Sequence, residues 1–172
     1  MFYTNLKGNL EALLFVNGDP LSLKRIAEIL EVDQENVKLL LAQLIQDMNQ
    51  QERGLTIIEV AGGYQLCTKP HLAGFLEKLV QIKENKLSIP ALETLSIIAF
   101  KQPITKQEIE AIRGVRVDKV LANLLERNLI KELGRKEAIG RPIIYGTTEV
   151  FLKCFGLKSL EDLPELPELE EK

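Results

Sequence analysis

The sequence predicts a mainly α-helical fold with small β-hairpins, which belongs to the α+β class. Residues 88–146 contain three helical patterns followed by two short β-rich runs around a glycine-bearing loop. Helix, helix, helix and hairpin, in that order and at that length, are typical of a winged helix-turn-helix. A looser copy of the same order occupies residues 6–68. We therefore predict two tandem winged helix-turn-helix domains.

An internal repeat supports this architecture. A shift of 83 residues aligns eight similar positions of the two halves, namely Pro20 with Pro103, Leu21 with Ile104, Ser22 with Thr105, Ile26 with Ile109, Ile29 with Ile112, Val32 with Val115, Val37 with Val120, and Leu41 with Leu124. A shared proline, a shared cap and shared apolar stripes indicate a duplicated unit. We predict an N-terminal domain over 1–80, a linker over 81–87, a C-terminal domain over 88–157, and an extended or disordered acidic Leu/Pro/Glu tail over 158–172.

The N-terminal half begins with a helical pattern from Leu6 to Val16, which ends at the turn residues 17–20. Ser22 is expected to cap a short helix, and Asp33 a longer one that runs to about Gln51. Two β-rich runs follow, at 55–61 and 64–68, joined by a two-residue turn at Gly62-Gly63. A short helix over 71–80 completes this half.

The first helix is apolar around much of its girth. Its main apolar stripe consists of Leu6, Leu10, Leu13 and Leu14, while Ala12, Phe15 and Val16 lie off that stripe. A helix that only covers a small core does not need this second apolar surface. We interpret the surplus as a surface covered by a partner, such as a second subunit.

The C-terminal half repeats the plan with clearer signals. A helix over 88–100 stops before Pro103, because proline lacks a donor and biases its neighbour away from helix. Thr105 and Glu108 form a capping-box pattern for the second helix, and the third carries the apolar stripe Val117, Val120, Leu121, Leu124 and Leu125. Strands are predicted over 129–133 and 143–145, and a helix capped by Thr147 or Thr148 over 150–155.

Composition indicates an ordinary cytoplasmic protein. The longest apolar runs fall well short of the roughly 20 residues that span a bilayer, and the two cysteines suggest no disulfide framework. The net charge of −3 divides unevenly. Residues 1–85 carry 8 basic and 11 acidic side chains, residues 86–158 carry 13 and 8, and residues 159–172 carry 1 and 6. The middle block is therefore mildly basic, although the chain is no polycation.

The chain offers no constellation for catalysis, a metal or a small-molecule substrate. His71 is the only histidine, so a catalytic triad would have to include it. Cys67 and His71 supply two ligands, whereas a zinc site normally needs three or four. The loop over 134–141 has five residues between its glycines and Arg141-Pro142 in place of Lys-Ser/Thr, so it does not match a phosphate-binding loop. We predict a non-enzymatic protein without cofactors.

Whether a third helix reads DNA is the main question that this fold raises. The outward positions predicted for the C-terminal third helix are neutral in sum: Asp118, Lys119, Ala122, Asn123, Glu126 and Arg127. The corresponding N-terminal helix has more acids than bases. Base and phosphate contacts favour an excess of Arg, Lys, Asn and Gln, so a protein-docking module is the leading interpretation. A DNA-binding transcriptional regulator remains the alternative, since Arg113, Arg116, Lys131, Arg135, Lys136 and Arg141 leave weak DNA contact open.

The helix over 88–100 also carries more apolar side chains than one core stripe requires. We assign Leu92, Leu95, Ile98 and Ala99 to the core. Ala91, Ile97 and Phe100 lie on other faces, where they either complete the core or form a groove for a partner helix.

Four segments of the sequence closely resemble the bacterial family of segregation and condensation protein B, an accessory subunit of the SMC condensin complex. They are LEALLFVNGDPLS, ALETLSIIAFKQPITKQEIEAIRG, LLERNLIKELGRKEAIGRPIIYGTT and VFLKCFGL. The resemblance spans about 6–157 and leaves out the acidic tail.

This resemblance implies a non-enzymatic homodimer that binds the kleisin ScpA and, through it, an SMC ATPase in chromosome condensation and segregation during cell division. It places the protein in the cytoplasm at the nucleoid, without membrane contact. The family's N-terminal domains dimerise, for which our candidates are Leu6, Leu10, Leu13 and Phe15. Its C-terminal domains hold the kleisin, for which our candidates are Ala91, Leu95, Ile97 and Phe100. The family-like wing loop adds possible contact residues Arg135, Lys136, Gly140, Arg141, Pro142 and Tyr145.

Overall fold

A computed structural model describes residues 5–50, 52–79 and 86–165. The chain divides into two compact units, the first up to Asn85 and the second from Lys86. Each unit has its own hydrophobic core, and both are built from helices with a small antiparallel sheet. The predicted α+β class with two tandem winged helix-turn-helix domains is confirmed. None of the helices in the described part of the chain combines the length and apolar character needed to cross a membrane.

The first unit contains three helices and a hairpin. Helix α1 spans Leu6–Asn17, α2 Leu23–Leu30 and α3 Gln34–Met48, followed by strands β1 (Leu55–Val60) and β2 (Gly63–Thr68). Ser22 and Asp33 cap α2 and α3 through their side-chain oxygens, as predicted. The core that these elements enclose consists of Leu10, Leu14, Ile26, Ala27, Val37, Leu41, Leu44, Met48 and Ile57.

The turn of the first hairpin lies one residue earlier than predicted. Val60 pairs with Gly63, so the two turn residues are Ala61 and Gly62, which both have positive φ (48° and 70°). That pair of angles is typical of a type I′ turn, whose twist matches the strands. Gly63 belongs to β2, and it is small for another reason: a Cβ atom there would lie 2.8 Å from the backbone of Leu21.

Leu21 pairs with the free side of β2 and so extends this sheet by one residue. Its N–H donates to the carbonyl of Tyr64, and its carbonyl accepts from the N–H of Tyr64, both at 2.9 Å. The residue thus takes the place that strand β3 (Ile104–Thr105) takes in the second unit, where Ile104 pairs with Tyr145. We did not predict either third strand, because each is too short for an alternating pattern to be visible.

The helix predicted over 71–80 is much shorter. The structure has a 3₁₀ turn at Pro70–Leu72 and a single helical turn, α4, at Ala73–Leu76. Both follow directly from β2, and Leu79 is exposed. Val80 and five residues of the predicted linker, 81–85, lie outside the described residues, as does Gln51, the predicted end of the third helix.

The second unit contains α5 (Ile89–Lys101), β3 (Ile104–Thr105), α6 (Lys106–Arg113), α7 (Asp118–Glu126), β4 (Ile130–Arg135), β5 (Ile143–Thr147) and α8 (Glu149–Phe155). The strands form an antiparallel sheet in the order β3-β5-β4. The capping box of Thr105 and Glu108 is confirmed, and so is the cap of α8 by Thr148. The core includes Leu95, Ile98, Ile109, Val117, Leu121, Leu124, Ile130, Tyr145 and Phe151.

Part of the predicted tail is structured. Ser159 caps a 3₁₀ turn at Leu160–Asp162, and Leu163 packs against the core of the second unit. The prediction of an extended or disordered segment is therefore wrong for these residues, because two leucines and a capping serine outweigh the acidic composition. Residues 166–172 lie outside the described part of the chain.

Candidate protein-docking surfaces

The candidate dimer residues on α1 separate into core and surface. Leu10 is fully buried in the core of the first unit, so it is not available to a partner. Leu13 packs against the same core. Leu6 is half-buried. Phe15, in contrast, is 72% exposed. The stripe that includes Leu6 and Leu10 therefore faces inward, and the surface candidate is Phe15.

Phe15 belongs to an apolar face of α1 that points to solvent. At about 100° per residue, Ala12, Phe15 and Val16 lie together on the side opposite the buried leucines, and all three are exposed. We name this set the outer face of α1. An exposed aromatic and an exposed valine beside an alanine give a helix surface that a second helix can approach closely.

The candidate kleisin residues on α5 separate in the same way. Ala91 and Leu95 are buried in the core of the second unit, while Ile97 and Phe100 are half-buried. The core stripe of α5 is Ala91, Thr94, Leu95, Ile98 and Ala99. Leu92, which we predicted in the core, is 42% exposed, so that prediction is wrong.

The error has a physical cause. The true stripe follows the spacing i, i+3, i+4, i+7, i+8 of a buried helix face, but it holds an alanine and a threonine at two of its positions. Because Thr94 is polar and Ala91 small, the more apolar Leu92 was chosen instead. Ile89 and Leu92 are exposed and Phe100 is half-buried, and we name these three residues the outer face of α5. Ile97, which is also half-buried, packs against the core.

Thr94 is tolerated in the core because its hydroxyl donates to the carbonyl of Pro90 at 2.9 Å and accepts from Arg113. The guanidinium of Arg113 donates to the carbonyl of Pro90 (2.7 Å) and to Oγ1 of Thr94 (2.8 Å), and it lies 2.8 Å from the carboxylate of Glu93. The arginine side chain is only 14% exposed. Arg113 thus joins α6 to α5 and is not available for the DNA contact that we left open for it.

The surface where a winged helix commonly meets DNA is neutralised by its own side chains. Lys106 forms an ion pair with Asp118 at the start of α7 and lies 3.8 Å from the carboxylate of Glu110. Lys136 of the wing donates to Glu108 of α6 at 2.7 Å. Each of these lysines already faces a carboxylate, and α7 itself holds one exposed lysine, Lys119, against Asp118 and Glu126. The third helix therefore holds no excess of basic side chains.

The pKa values on this surface follow from the same pairs. The hydrogen bond from Lys136, together with those from Thr105, lowers the pKa of Glu108 to about 2. The hydrogen bond between Lys106 and Asp118 raises the pKa of the lysine and lowers that of the aspartate. Glu108, Lys106 and Asp118 are therefore charged at neutral pH, and the network favours the protein-docking interpretation over base readout.

The wing-loop candidates do not form one surface. Tyr145 is buried in the core, where burial raises the pKa of its hydroxyl and the nearby Glu132 adds to the shift. Arg135, Lys136, Gly140 and Arg141 are exposed around the loop. Pro142 is half-buried, and its carbonyl accepts from the backbone N–H of Lys136 at 2.9 Å.

Two exposed isoleucines were missed by the sequence reasoning. Ile139 at the tip of the wing is fully exposed, and Ile89 at the start of α5 is 73% exposed. The signal for Ile139 was present, because an isoleucine between charged residues and glycine in a loop has no core to enter. Ile89 directly precedes Pro90 within the helix predicted over 88–100, and it was assigned neither to the core stripe nor to the other faces.

No metal-ligand group stands out on either unit. Within residues 5–50, 52–79 and 86–165, no cluster of three or more His, Cys, Asp or Glu side chains is arranged to hold an ion. His71 is exposed and Cys67 half-buried.

Comparison with known proteins adds a family. The family described as segregation and condensation complex subunit ScpB matches residues 8–166. A segregation and condensation protein B of Symbiobacterium thermophilum is 54% identical over 164 residues, which cover 95% of this chain and 75% of the relative. The protein of the same description in Moorella thermoacetica is 51% identical over 168 residues, which cover 98% and 86%.

Solved structures of similar sequence give modest overall superpositions. A crystal structure of ScpB from Mycobacterium tuberculosis is 35% identical, with coverage of 88% of this chain and 95% of that chain and a TM-score of 0.42. A crystal structure of a dimer of the ScpB N-terminal domain complexed with ScpA peptide is 44% identical, with coverage of 43% and 93% and a TM-score of 0.42.

Proposed function

The chain belongs to the family of segregation and condensation complex subunit ScpB, and on that premise we propose that it is a non-enzymatic scaffold subunit. In this proposal it pairs with a second copy of itself and binds the kleisin ScpA, which links it to the SMC ATPase. It acts in the cytoplasm at the nucleoid, in chromosome condensation and segregation during cell division.

The observation that supports this function most directly is the presence of exposed apolar side chains on two helices, α1 and α5. The outer face of α1 presents Phe15 and Val16, and the outer face of α5 presents Ile89 and Leu92. Clustered apolar side chains at a surface mark protein contact sites. We assign the outer face of α1 to dimerisation and the outer face of α5 to the kleisin.

The neutral surface at the start of α7 supports the same function against the alternative of a transcriptional regulator. A regulator that reads base edges needs unpaired donors on its third helix. The third helix, α7, instead carries one lysine, Lys119, against Asp118 and Glu126, and the neighbouring Lys106 is paired with Asp118.

Calorimetric titration with a fragment of the kleisin's central region tests the proposal. We expect wild-type protein to bind at micromolar or lower concentration, as specific subunits do. Leu92→Glu should weaken binding at least about tenfold, because it would bury an unpaired carboxylate. Val115→Glu, an equivalent change at an exposed residue away from α5, serves as the matched control and should bind normally.

The outcomes separate the parts of the proposal. Absence of wild-type binding at tens of micromolar would contradict the function itself. If Phe15→Glu weakened kleisin binding while Leu92→Glu did not, the chain would still be a kleisin-binding subunit. The binding surface would then lie on the first unit and not on α5.

A further inference from the structure

The wing of the second unit, residues 135–141 between β4 and β5, is a rigid and narrow projection. The N–H of Arg141 donates to the carbonyl of Ala138 at 2.9 Å, which closes a four-residue turn. Gly140, the third residue of this turn, has a φ of 82°, as in a type II turn. The backbone therefore fixes Ile139 at the outermost point, where it is fully exposed.

Cationic side chains flank this tip. Arg135 and Arg141 lie at the two ends of the loop, and Arg135 donates through one guanidinium nitrogen to the carbonyl of Arg141 at 3.0 Å. That bond holds the guanidinium beside the loop while its other donors stay available. Among the residues that the structure describes, neither arginine forms an ion pair with a carboxylate. Lys136, in contrast, is occupied by Glu108.

We propose that this wing contacts the backbone of duplex DNA, with the two arginines on phosphates and Ile139 against the wall of a groove. Arginine suits phosphate because its planar guanidinium donates two hydrogen bonds in parallel. An apolar side chain between cations matches the arrangement of proteins that enter the minor groove, where sugars lie between two ridges of phosphate. Because α7 holds no excess of basic side chains and the two arginines lie on the wing, the contact is to the DNA backbone and reads no base sequence.

This contact goes beyond the proposed function, which needs only protein partners. It would give the subunit a weak, sequence-independent hold on DNA. Two phosphate contacts predict a logarithmic salt dependence with a slope of about −2, and an affinity in the ordinary non-specific range of about 10⁻⁴ to 10⁻⁶ M.

Fluorescence anisotropy with a labelled DNA duplex of mixed sequence, titrated with the full chain between about 50 and 200 mM salt, tests the inference. The double variant Arg135→Gln/Arg141→Gln keeps side-chain amide donors for the loop while it removes both charges. It should lower affinity at least about tenfold at low salt and reduce the slope by about 2. The matched control Lys24→Gln/Lys78→Gln removes two exposed charges from the first unit and should bind DNA within twofold of wild type.

A third variant separates the apolar contact from the charges. Ile139→Ala should weaken DNA binding severalfold with an unchanged slope, because it removes apolar contact and no cation. Thermal unfolding of every variant checks that the fold is retained.

Three results would overturn the inference: no wild-type binding at low salt, an equal loss in the Lys24/Lys78 control, or loss of kleisin binding instead of DNA binding in the arginine variant. The last would show that the wing contacts an acidic protein segment. Kleisin titration of the same samples keeps these outcomes distinct from a failure of the proposed function, in which wild-type protein binds no kleisin.

Discussion

Gly63 shows how one residue couples two parts of the first unit. The backbone of Leu21 lies so close beside β2 that a Cβ atom at Gly63 would be 2.8 to 2.9 Å from three backbone atoms of Leu21. Backbone cannot rotate away as a flexible side chain does, so a larger residue would have to break the hydrogen bonds between Leu21 and Tyr64. From the sequence alone, Gly63 was read as a turn residue, because a close approach by a distant segment leaves no local pattern.

We predict that Gly63→Ala destabilises the first unit by about 1–3 kcal/mol, the usual effect of overpacking. Gly74→Ala is the matched control, since the same added methyl group would meet open space on α4. Urea unfolding followed by circular dichroism measures both. Equal midpoints for the two variants would show that Leu21 does not constrain Gly63.

Glu108 carries two tasks with its two carboxylate oxygens. Oε2 accepts from the N–H and the hydroxyl of Thr105, both at 2.8 Å, which completes the cap of α6. Oε1 accepts from Lys136 and so fixes the wing to this helix. The capping box was visible in the sequence, whereas the bond to Lys136 was not, because 28 residues separate the two.

The pH dependence of stability should report on this carboxylate. Its pKa falls from 4.5 in the unfolded chain to about 2 in the folded protein, so its stabilising effect is complete above pH 4.5 and is lost as the pH falls toward 2. Because the side chain is 44% exposed, solvent screening reduces the gain.

Glu108→Gln keeps an acceptor for the cap but loses the charge. We predict that the Tm of this variant lies below that of wild type at pH 7, and that the gap narrows as the pH falls from 5 to about 2.5. Glu137→Gln, on the exposed wing, controls for removal of one negative charge. A gap that stays constant over this range would contradict the role given to Lys136.

At the scale of elements, α5 marks the limit of what periodicity predicts. The existence of the helix and its end before Pro103 followed from sequence rules, and the capping pattern predicted α6. The orientation of α5 did not follow, because Thr94 occupies a core position where Pro90 of the same helix and Arg113 of α6 satisfy its hydroxyl. A polar residue that is satisfied by a distant side chain hides the stripe to which it belongs.

Arg113→Ala should destabilise the second unit by about 1.5–3 kcal/mol, because it removes charge-assisted hydrogen bonds to the buried Thr94 and to Pro90. Arg116→Ala, at an exposed neighbouring position, should have little effect. In a protein that already carries Thr94→Val, Arg113→Ala should lower the free energy of unfolding by less. Unfolding in guanidinium chloride of wild type, the two single variants and the double variant measures this difference. If the two substitutions had additive effects on the free energy of unfolding, Arg113 and Thr94 would not stabilise each other.

The outer faces of α1 and α5 also show that periodicity does not decide which apolar residues are exposed. On α1 the surplus of apolar residues was recognised, and the structure distinguishes Phe15, which is exposed, from Leu10, which is core. On α5 the surplus was recognised but assigned to partly wrong residues. Sequence periodicity gives the number of apolar faces on a helix, and only packing against the rest of the unit decides which of them remains open.

At the scale of the molecule, the chain repeats one plan with different surfaces. Both units join a helix-turn-helix to a hairpin whose second strand also pairs with the segment before the second helix, through Leu21 in one and Ile104 in the other. The repeat at a shift of 83 predicted the shared order of three helices and a hairpin, whereas the pairings of Leu21 and Ile104 were not predicted. The surfaces were not predictable, since the same framework carries an apolar outer face on α1 in one unit and a projecting wing in the other.

The central claim is that these surfaces hold other subunits, and a measurement of molecular mass by light scattering tests it most directly. The chain has a mass of 19.4 kDa. We predict a particle of twice that mass, which becomes heavier when the kleisin fragment is added, and a 19.4 kDa particle for Phe15→Glu. Leu39→Glu, an exposed position on α3, should remain a dimer. A wild-type protein that stays at 19.4 kDa with and without the kleisin fragment would contradict the account.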